Sequence, residues 1–259
     1  MTGPITLITG ASSGIGADLA REHARAGGSL VLVARRRERL EELAAELADR
    51  HDAEALILAR DLTAPDAAGA LHRDIAERGL EVDHLINNAG FGGLGLFHEI
   101  APERHEAMIQ LNVLALTQLT RFFLPEMIAR GSGRVLNVAS VAGFVPGPWQ
   151  AAYYATKAYV LSLTEALAVE LRGTGVTVTA LCPGPTTTEF AEQAGADRLK
   201  LFESGTATSA DVAAYGYRAM LRGKTVAIHG ASNRMVPTLL RVLPRGVPAR
   251  MVERVQRGR

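Results

Sequence analysis

Tyr153 and Lys157 stand four positions apart in this 259-residue chain, and their side chains together could move a proton. Residues at positions i and i+4 share one face of a helix, so the phenol and the ammonium group would lie within reach of each other. A nearby ammonium group favours the phenolate and would lower the pKa of the tyrosine from about 10 toward neutral. A tyrosine tuned in this way can pass a proton to or from an alcohol. The spacing therefore predicts general acid–base chemistry at Tyr153.

Ser140 is the third candidate for this chemistry. It follows Arg134–Ala139, which we predict to be a strand, so its hydroxyl would lie at a strand end and could hydrogen-bond a reacting oxygen. Tyr154 is the alternative to Tyr153, but it is three positions from Lys157 and points away from the shared direction. Taken alone, a tyrosine and a lysine at this spacing are usually ordinary surface and core residues.

A glycine-rich turn stands near the start of the chain, between a predicted strand at Ile5–Thr9 and a predicted helix at Ile15–Ala26. Its glycines permit a tight turn and a close approach of the backbone to a ligand. The start of the helix offers free N–H groups and the positive end of a dipole to a pyrophosphate. This context predicts a dinucleotide site. The residues assigned to it are Gly10, Ser12, Ser13, Gly14, Ile15 and Gly16.

The residues after the second predicted strand, Leu30–Ala34, bear on which nicotinamide cofactor binds. An NAD site usually has a carboxylate there that accepts from the ribose 2′-hydroxyl, whereas this chain has Arg35, Arg36 and Arg37. An arginine can pair with a 2′-phosphate, so the sequence favours NADP(H) over NAD. We assign Arg35 to this role and Arg37 to a solvated helix start. Arg36 fits either interpretation and is kept among the cofactor-binding candidates.

Short apolar runs alternate with helical stretches along the whole chain. This alternation predicts an α/β fold, a doubly wound, Rossmann-like parallel sheet of about seven strands, in a single domain over residues 1–259. The mostly apolar strands are expected where helices cover both sheet faces. The remaining predicted strands are Glu54–Ala59, His84–Asn87, Val176–Leu181 and Thr225–His229. The remaining predicted helices are Arg37–Arg50, Pro65–Arg78, helix-forming sequence over Pro102–Ala129, and Ala151–Arg172.

Several separate motifs, in order between residues 9 and 188, resemble those of the short-chain dehydrogenase/reductase family in its shorter, single-domain type. They are Thr9-Gly10-x-x-x-Gly14-Ile15-Gly16, Asn87-Asn88-Ala89-Gly90, Asn112, Ser140, Tyr153-x-x-x-Lys157, and Pro183-Gly184 followed by Thr188. The resemblance implies an oxidoreductase that interconverts a carbonyl and a secondary alcohol.

The resemblance also implies a role for each matching residue. Tyr153 would be the general acid/base, Lys157 would lower its pKa and bind the nicotinamide ribose, and Ser140 would polarise the substrate carbonyl. Asn112 would hold a water in a proton relay that reaches Lys157. Asp61 and Leu62 would contact the adenine, and Thr188 would help to place the carboxamide. The other residues implied for the cofactor are Asn88, Ala89, Gly90, Pro183, Gly184 and Thr186, and Tyr153 is also implied to contact it.

The substrate is less clearly indicated. We expect its pocket to be walled by Ala142, Phe144, Trp149 and Gln150, by the loop around residues 91–97, and by a substrate loop at about 188–210. These mostly apolar walls favour a lipophilic ketone or aldehyde, or a 3-oxoacyl group. Cells hold most of their NADP(H) in the reduced form, NADPH, so reduction of the carbonyl is the expected direction.

The composition limits the partners. A net charge of +1 gives no overall attraction to nucleic acid, and the single cysteine, Cys182, permits no internal disulfide. No metal-ligand grouping, no signal peptide and no apolar run of about 18 residues is found, so a cytoplasmic protein without a metal is expected. The resemblance implies a homodimer or homotetramer.

A C-terminal extension at about 231–259 is basic and has an apolar face. The basic stretch fits a solvated tail or a last helix, and contact with a membrane surface or an acidic partner is the alternative. The apolar face could cover the pocket, an interface between subunits or a membrane surface.

Three other functions compete with the reductase. A non-catalytic, nucleotide-sensing protein on the same fold would not need Ser140, Tyr153 and Lys157. A sugar-nucleotide epimerase or dehydratase usually has a longer chain and a shorter glycine spacing. An NAD-dependent alcohol dehydrogenase working oxidatively would differ in its cofactor preference.

Overall fold

Seven parallel strands form one sheet at the centre of the protein, as the sequence predicts. In this computed structural model, residues 1, 3–189, 206–241, 243–244 and 246–257 are described. The strands of the sheet are β1 (Ile5–Thr9), β2 (Ser29–Ala34), β3 (Ala55–Ala59), β4 (His84–Asn87), β5 (Gly133–Val138), β6 (Val176–Cys182) and β9 (Val226–Ile228). Their order is β3-β2-β1-β4-β5-β6-β9, and every neighbouring pair is parallel.

Helices cover both faces of this sheet. The helices of the described residues are α1 (Gly14–Arg25), α2 (Arg37–His51), α3 (Ala67–Glu77), α4 (Pro102–Ile109), α5 (Leu116–Arg130), α6 (Ala151–Glu170), α7 (Ser209–Leu221), α8 (Ala231–Arg241) and α9 (Gly246–Arg257), of which α8 and α9 form the C-terminal extension. A π-helical segment, Gln110–Ala115, joins α4 to α5. The predicted helices agree with α1 to α6 to within a few residues at their ends, apart from the π-helical interruption. Helix α7 and a separate pair of short strands, β7 (Thr186–Thr187) and β8 (Ala207–Thr208), were not predicted, and two helices, α8 and α9, lie in the extension where the sequence allowed a last helix.

Alternate residues of the strands feed two separate cores. Ile8 and Leu32 pack with Leu19 of α1 on one face, whereas Leu7 and Phe123 belong to the core on the other. Successive side chains of a strand point to opposite faces, so a strand covered on both sides must be apolar throughout. This arrangement explains why the strands lack an alternating polar pattern.

The strand order reverses direction between β1 and β4. From β1 the chain builds outward to β2 and β3, and then crosses back to place β4 on the other side of β1. The loops that leave the carboxyl ends of β1 and β4 therefore diverge and leave a crevice. In doubly wound sheets, ligands bind in such a crevice.

The continuous helical unit Pro102–Arg130 corrects one expectation from the sequence. Its 29 residues are long and apolar enough to cross a membrane by length and composition alone, although we expected no such stretch. Its inner side packs Leu119, Phe123 and Met127 into the core beside the sheet. Core helices of this length pass the same compositional test, because the side that faces the sheet must be apolar.

Candidate functional site

A groove of about 360 Å³ lies at the crevice between β1 and β4. It runs along the carboxyl ends of the central strands and brings together most of the residues that the sequence predicts for the site. Those that line it are Gly10, Ser12, Ser13, Gly14, Ile15, Arg35, Arg36, Asp61, Leu62, Asn88, Ala89, Gly90, Ser140, Ala142, Gln150, Tyr153, Lys157, Pro183, Gly184, Thr186 and Thr188. Gly16, Asn112, Phe144 and Trp149 are not part of this lining.

The glycine-rich turn depends on all three of its glycines. Gly10 and Gly14 have φ angles of +67° and +54°, which glycine adopts without strain. A Cβ atom on Gly16 would lie 2.3 Å from the Gly10 carbonyl oxygen and 2.4 Å from Asn88 Nδ2. Asn88 Nδ2 donates to the carbonyl oxygens of Thr9 (3.0 Å) and Gly10 (3.1 Å). Because Gly16 has no side chain, it leaves room beneath the turn for the Asn88 side chain. The hydrogen bonds of Asn88 then connect the end of β4 to the turn.

The start of α1 has the chemistry to bind an anion. Ser13 is the N-cap residue, yet its side chain makes no capping hydrogen bond to the helix. The first N–H groups of a helix lack partners within the helix, and the helix dipole makes this end positive. The turn, its glycines and these N–H groups fit the pyrophosphate of a dinucleotide.

Arg36 and Glu189 meet above this turn. Arg36 Nη2 lies 2.9 Å from Glu189 Oε2 and donates to Ser12 Oγ (3.1 Å) and Ser13 Oγ (3.0 Å). The Arg36 guanidinium and a hydrogen bond from Ser13 hold the pKa of the Glu189 carboxyl below its ordinary value. The sequence left the role of Arg36 open and gave preference to Arg35. In the structure, Arg36 is the arginine that is hydrogen-bonded to the glycine-rich turn.

Arg35 is exposed at the rim of the groove and acts on Asp61. Burial works to raise the pKa of Asp61, but hydrogen bonds from the Thr63 N–H and hydroxyl and the charge of Arg35 together lower it. Both hydrogen bonds end on Asp61 Oδ1, at 2.9 and 2.8 Å. Asp61 is thus an ionised acceptor, and Arg35 and Asp61 lie close together at one end of the groove.

Ser140 and Tyr153 meet at the other end of the groove. Ser140 directly follows Ala139 at the carboxyl end of β5, and its side chain is hydrogen-bonded to that of Tyr153. The Ser140 hydroxyl also accepts from the Ala142 N–H at 3.1 Å. This contact caps the short 3-10 turn Val141–Phe144 and fixes the position of the hydroxyl. The geometry offers two hydroxyl groups to one oxygen atom of a ligand.

The pKa of Tyr153 departs from the sequence expectation. Burial raises it above the ordinary value of 10, and the hydrogen bond to Ser140 only partly opposes this. Lys157 Nζ lies 5.8 Å from the centre of the Tyr153 ring and donates to the Val138 carbonyl oxygen at 2.7 Å. Burial also lowers the pKa of Lys157 to about 8. The expected lowering of the Tyr153 pKa by Lys157 is therefore not found in this arrangement, because burial dominates the shift and the neighbouring Tyr154 adds to it.

Asn112 lies behind the groove, in the π-helical segment. Its amide is fixed by the Phe91 backbone, with Nδ2 donating to the carbonyl oxygen (2.9 Å) and Oδ1 accepting from the N–H (3.1 Å). A Cβ atom on Gly90 would lie 2.9 Å from Asn112 Oδ1 and 3.7 Å from Lys157 Nζ. Asn112 and Lys157 therefore converge on Gly90, where glycine leaves room between them. π-Helical segments are frequent at functional sites.

The predicted substrate wall is only partly formed as expected. Ala142 and Gln150 line the groove, but Phe144 packs into a core cluster with Val160 and Leu161. Trp149 has a left-handed backbone (φ +59°), and its carbonyl oxygen accepts from the Gly95 N–H at 2.9 Å. Through this hydrogen bond Trp149 connects its own loop to the loop around residues 91–97, and Trp149 itself does not line the groove. Most of the predicted substrate loop at about 188–210 lies outside the described residues.

Sequence reasoning missed several residues that line the groove. Arg60 and Thr63 flank Asp61 after β3, and the strand-end argument used for Arg35 would have found them. Tyr154, set aside because of its spacing, also lines the groove, and its ring lies 6.1 Å from that of Tyr153. The other missed residues are Val33, Ala34, Leu111, Val138, Ala139, Val141 and Pro185, whereas Phe91 and Gly92 belong to the loop around residues 91–97 that the sequence predicts as a wall.

Comparison with known proteins adds to this geometry. Residues 4–199 match the family model described as short chain dehydrogenase. The oxidoreductase UcpA of Escherichia coli (strain K12) is 39% identical over 194 residues, which are 74% of this chain and 73% of that protein. A solved short-chain dehydrogenase from Sphingobium yanoikuyae, in complex with NADPH, matches with a TM-score of 0.82 at 35% identity, covering 94% of this chain and 97% of the other. A solved 7beta-hydroxysteroid dehydrogenase matches with a TM-score of 0.87 at 27% identity, covering 97% of each chain.

Proposed function

This chain belongs to the short-chain dehydrogenase family of oxidoreductases, and we propose that it is an NADP(H)-dependent reductase of a lipophilic ketone, aldehyde or 3-oxoacyl substrate. One observation carries the proposal. The hydrogen-bonded pair of Ser140 and Tyr153 lies in the same groove as the glycine-rich turn and Arg36. Proton-donating groups at one end and an anion-binding turn at the other suit a dinucleotide that reacts with a carbonyl.

The preference for NADP(H) rests on the arginines at the rim. Arg35 and Arg36 follow β2, where a carboxylate would favour NAD, and both line the groove. A guanidinium pairs with a phosphate through charge-assisted hydrogen bonds. The NADPH in the Sphingobium yanoikuyae relative supports the same assignment. The cofactor, when bound, supplies the hydride that reduces the carbonyl carbon.

The side chains of the protein would handle the proton. Ser140 would donate a hydrogen bond to the carbonyl oxygen, and Tyr153 would give its phenolic proton to that oxygen as negative charge develops. The raised pKa of Tyr153 keeps the phenol protonated at neutral pH, which suits an acid in the reductive direction. Lys157 would hold the nicotinamide ribose. Asn112 would position a water that relays a proton toward Lys157.

The substrate class follows from the walls near Ser140. Ala139, Val141 and Ala142 are apolar, and Gln150 and Tyr154 add few polar groups. A pocket of this composition holds a lipophilic group and orients it with a small number of hydrogen bonds. The likeness to a 7beta-hydroxysteroid dehydrogenase supports this class.

Assembly as a homodimer or homotetramer in the cytoplasm completes the proposal. Leu114 of the π-helical segment and Tyr159 and Val169 of α6 are 42%, 40% and 54% exposed. Apolar side chains that stand exposed on neighbouring helices can be buried between subunits. Sedimentation analysis should find more than one chain per particle, and Val169→Glu should shift the protein toward monomers.

The test is an assay of NADPH oxidation and, separately, of NADH oxidation. Each cofactor is assayed with saturating concentrations of 3-oxoacyl thioesters, steroids, aromatic ketones and small aldehydes. We expect turnover with NADPH on a lipophilic member of this set. Arg36→Gln should weaken NADPH binding about ten- to a hundred-fold and leave NADH almost unchanged. Arg37→Gln is the matched control, because Arg37 pairs with Glu41 outside the groove lining. Equal or better turnover with NADH would contradict the assignment of NADP(H).

A further inference from the structure

The net positive charge of the chain lies at its C-terminus. Of the 28 lysines and arginines, seven arginines lie after residue 230, against one of the 27 acidic residues, Glu253. The remaining 230 residues therefore carry more acidic than basic side chains. The net charge of +1 conceals this separation, which places a basic extension on an acidic body.

The same extension exposes large apolar side chains. Met235 and Leu239 of α8 are 72% and 53% exposed, and Val247 and Met251 of α9 are 37% and 43% exposed. Each pair has the i, i+4 spacing that places both members on one face of a helix. Arg250 and Arg254 share this spacing on α9 and are also exposed. Both helices thus present apolar side chains to the surroundings, and α9 also presents basic ones.

We propose that α8 and α9 dock on an anionic phospholipid surface. Helices that lie in a membrane interface combine an apolar face, buried at the level of the headgroups, with arginines or lysines on the polar side. Clustered basic residues are attracted by the negative potential of such a surface. A two-fold contact made by this face alone fits less well, because it would bring one arginine cluster close to the other.

The position of α8 gives this docking a consequence for the groove. The helix packs against the turn Val141–Phe144, and Asn233 lies so close to Gly184 that a Cβ atom on Gly184 would lie 2.4 Å from Asn233 Nδ2. Ser140 and Gly184 line the groove. If α8 docks on a lipid surface, the groove therefore lies near that surface. A lipophilic compound could then pass between the lipid and the groove.

Flotation of the full-length protein with vesicles tests the proposal. One set of vesicles contains phosphatidylcholine alone, and the other contains phosphatidylcholine with phosphatidylglycerol. We expect flotation with the anionic vesicles at low salt and its loss at high salt, because salt screens the attraction of arginines to lipid. Absence of flotation with anionic vesicles, or equal flotation with both sets at every salt concentration, would overturn the proposal.

Matched variants locate the contact. Arg250→Gln combined with Arg254→Gln should weaken binding to anionic vesicles about thirty-fold, whereas Arg222→Gln, an exposed arginine of the body, should not. Leu239→Gln should reduce flotation, and Leu221→Gln, which changes a 40% exposed leucine of α7, should leave it intact. Circular dichroism checks that each variant is folded. If Leu239→Gln instead dissociated an oligomer and left flotation unchanged, the face would be a subunit interface and the proposal would be wrong.

Discussion

Glu189 presents a carboxylate to the groups that we assign to the cofactor phosphates. Its Oε2 atom lies 2.9 Å from Arg36, and it is also hydrogen-bonded to Ser13 at the start of α1. A carboxylate and a phosphate are both anions that accept from a guanidinium and from hydroxyl groups. A phosphate that binds Arg36 would therefore compete with Glu189.

Replacement of Glu189 measures this competition. Glu189→Gln removes the negative charge and should strengthen NADPH binding about two- to five-fold, the effect expected for a largely exposed ion pair. Isothermal titration of NADPH into each protein gives the affinities. Glu41→Gln, which affects only the exposed pair with Arg37, should bind NADPH as the wild type does. Weaker binding by Glu189→Gln would show that Glu189 supports the site and does not compete.

The sequence predicts the types of residue at this site better than their protonation. The glycine-rich turn, Ser140 and Tyr153 follow from strand ends and spacing, since these rules depend on local geometry. The pKa of Tyr153 depends on burial by distant parts of the chain, and spacing to Lys157 cannot give it. The contact between Arg36 and Glu189 joins residues 153 positions apart in sequence and is equally invisible to local patterns.

At the scale of elements, Asn88 fastens β4 to the turn after β1. Its side chain donates to both Thr9 and Gly10, and the N–H groups of Asn88 and Ala89 donate to Thr9 Oγ1 at 3.0 Å each. Asn87, the neighbouring residue, points into the core instead. There its amide donates to Thr120 Oγ1 and Asn137 Oδ1. Of these adjacent asparagines, Asn88 therefore stabilises the turn and Asn87 stabilises the core.

Alanine substitutions should distinguish these two roles. Asn88→Ala and Asn87→Ala should each lower the free energy of unfolding by about 1–3 kcal/mol, because each leaves hydrogen-bonding groups without a partner. Only Asn88→Ala should also weaken NADPH binding, since it releases the turn. Urea unfolding and NADPH titration measure the two effects. Wild-type affinity in Asn88→Ala would contradict a role for Asn88 in holding the turn.

Elements with a simple pattern were predicted and those fixed by tertiary contacts were not. The seven strands of the main sheet followed from apolar runs of suitable length. The π-helical segment was not foreseeable, because a shift of the helical hydrogen bonds leaves no local periodic signal and Asn112 contacts the distant Phe91 backbone. The displacement of Phe144 into the core likewise reflects the packing of α6, which local spacing does not encode.

At the scale of the whole molecule, two buried histidines lie at the sheet edge opposite the groove. His84 starts β4 and its Nδ1 lies 3.0 Å from Thr6 Oγ1, while His23 Nδ1 lies 2.9 Å from the Tyr217 hydroxyl. Burial lowers the pKa of His84 to about 4, with help from the charges of His23 and Arg134 and opposed by Asp83. Burial also lowers the pKa of His23.

These histidines should make folding sensitive to acid. A group whose pKa is lower in the folded state stabilises the fold above its unfolded pKa of about 6.5, and this contribution is lost as pH falls toward 4. His84 alone should contribute on the order of 3 kcal/mol. Urea unfolding between pH 7 and pH 4 should show this fall, and His84→Gln should reduce its slope. An unchanged slope in His84→Gln, with the exposed His98→Gln as control, would contradict the assignment.

Comparison of Tyr153→Phe with the wild type tests whether Tyr153 donates the proton while NADPH supplies the hydride. Single-turnover reduction of an accepted ketone, with NADPH bound beforehand, separates the chemical step from cofactor binding. We predict that Tyr153→Phe binds NADPH as tightly as the wild type and reduces the ketone about 10²–10⁴-fold more slowly. Tyr154→Phe, whose ring lies 6.1 Å from that of Tyr153, should keep most of the rate. A wild-type rate in Tyr153→Phe, or a loss of that size in Tyr154→Phe alone, would contradict the account.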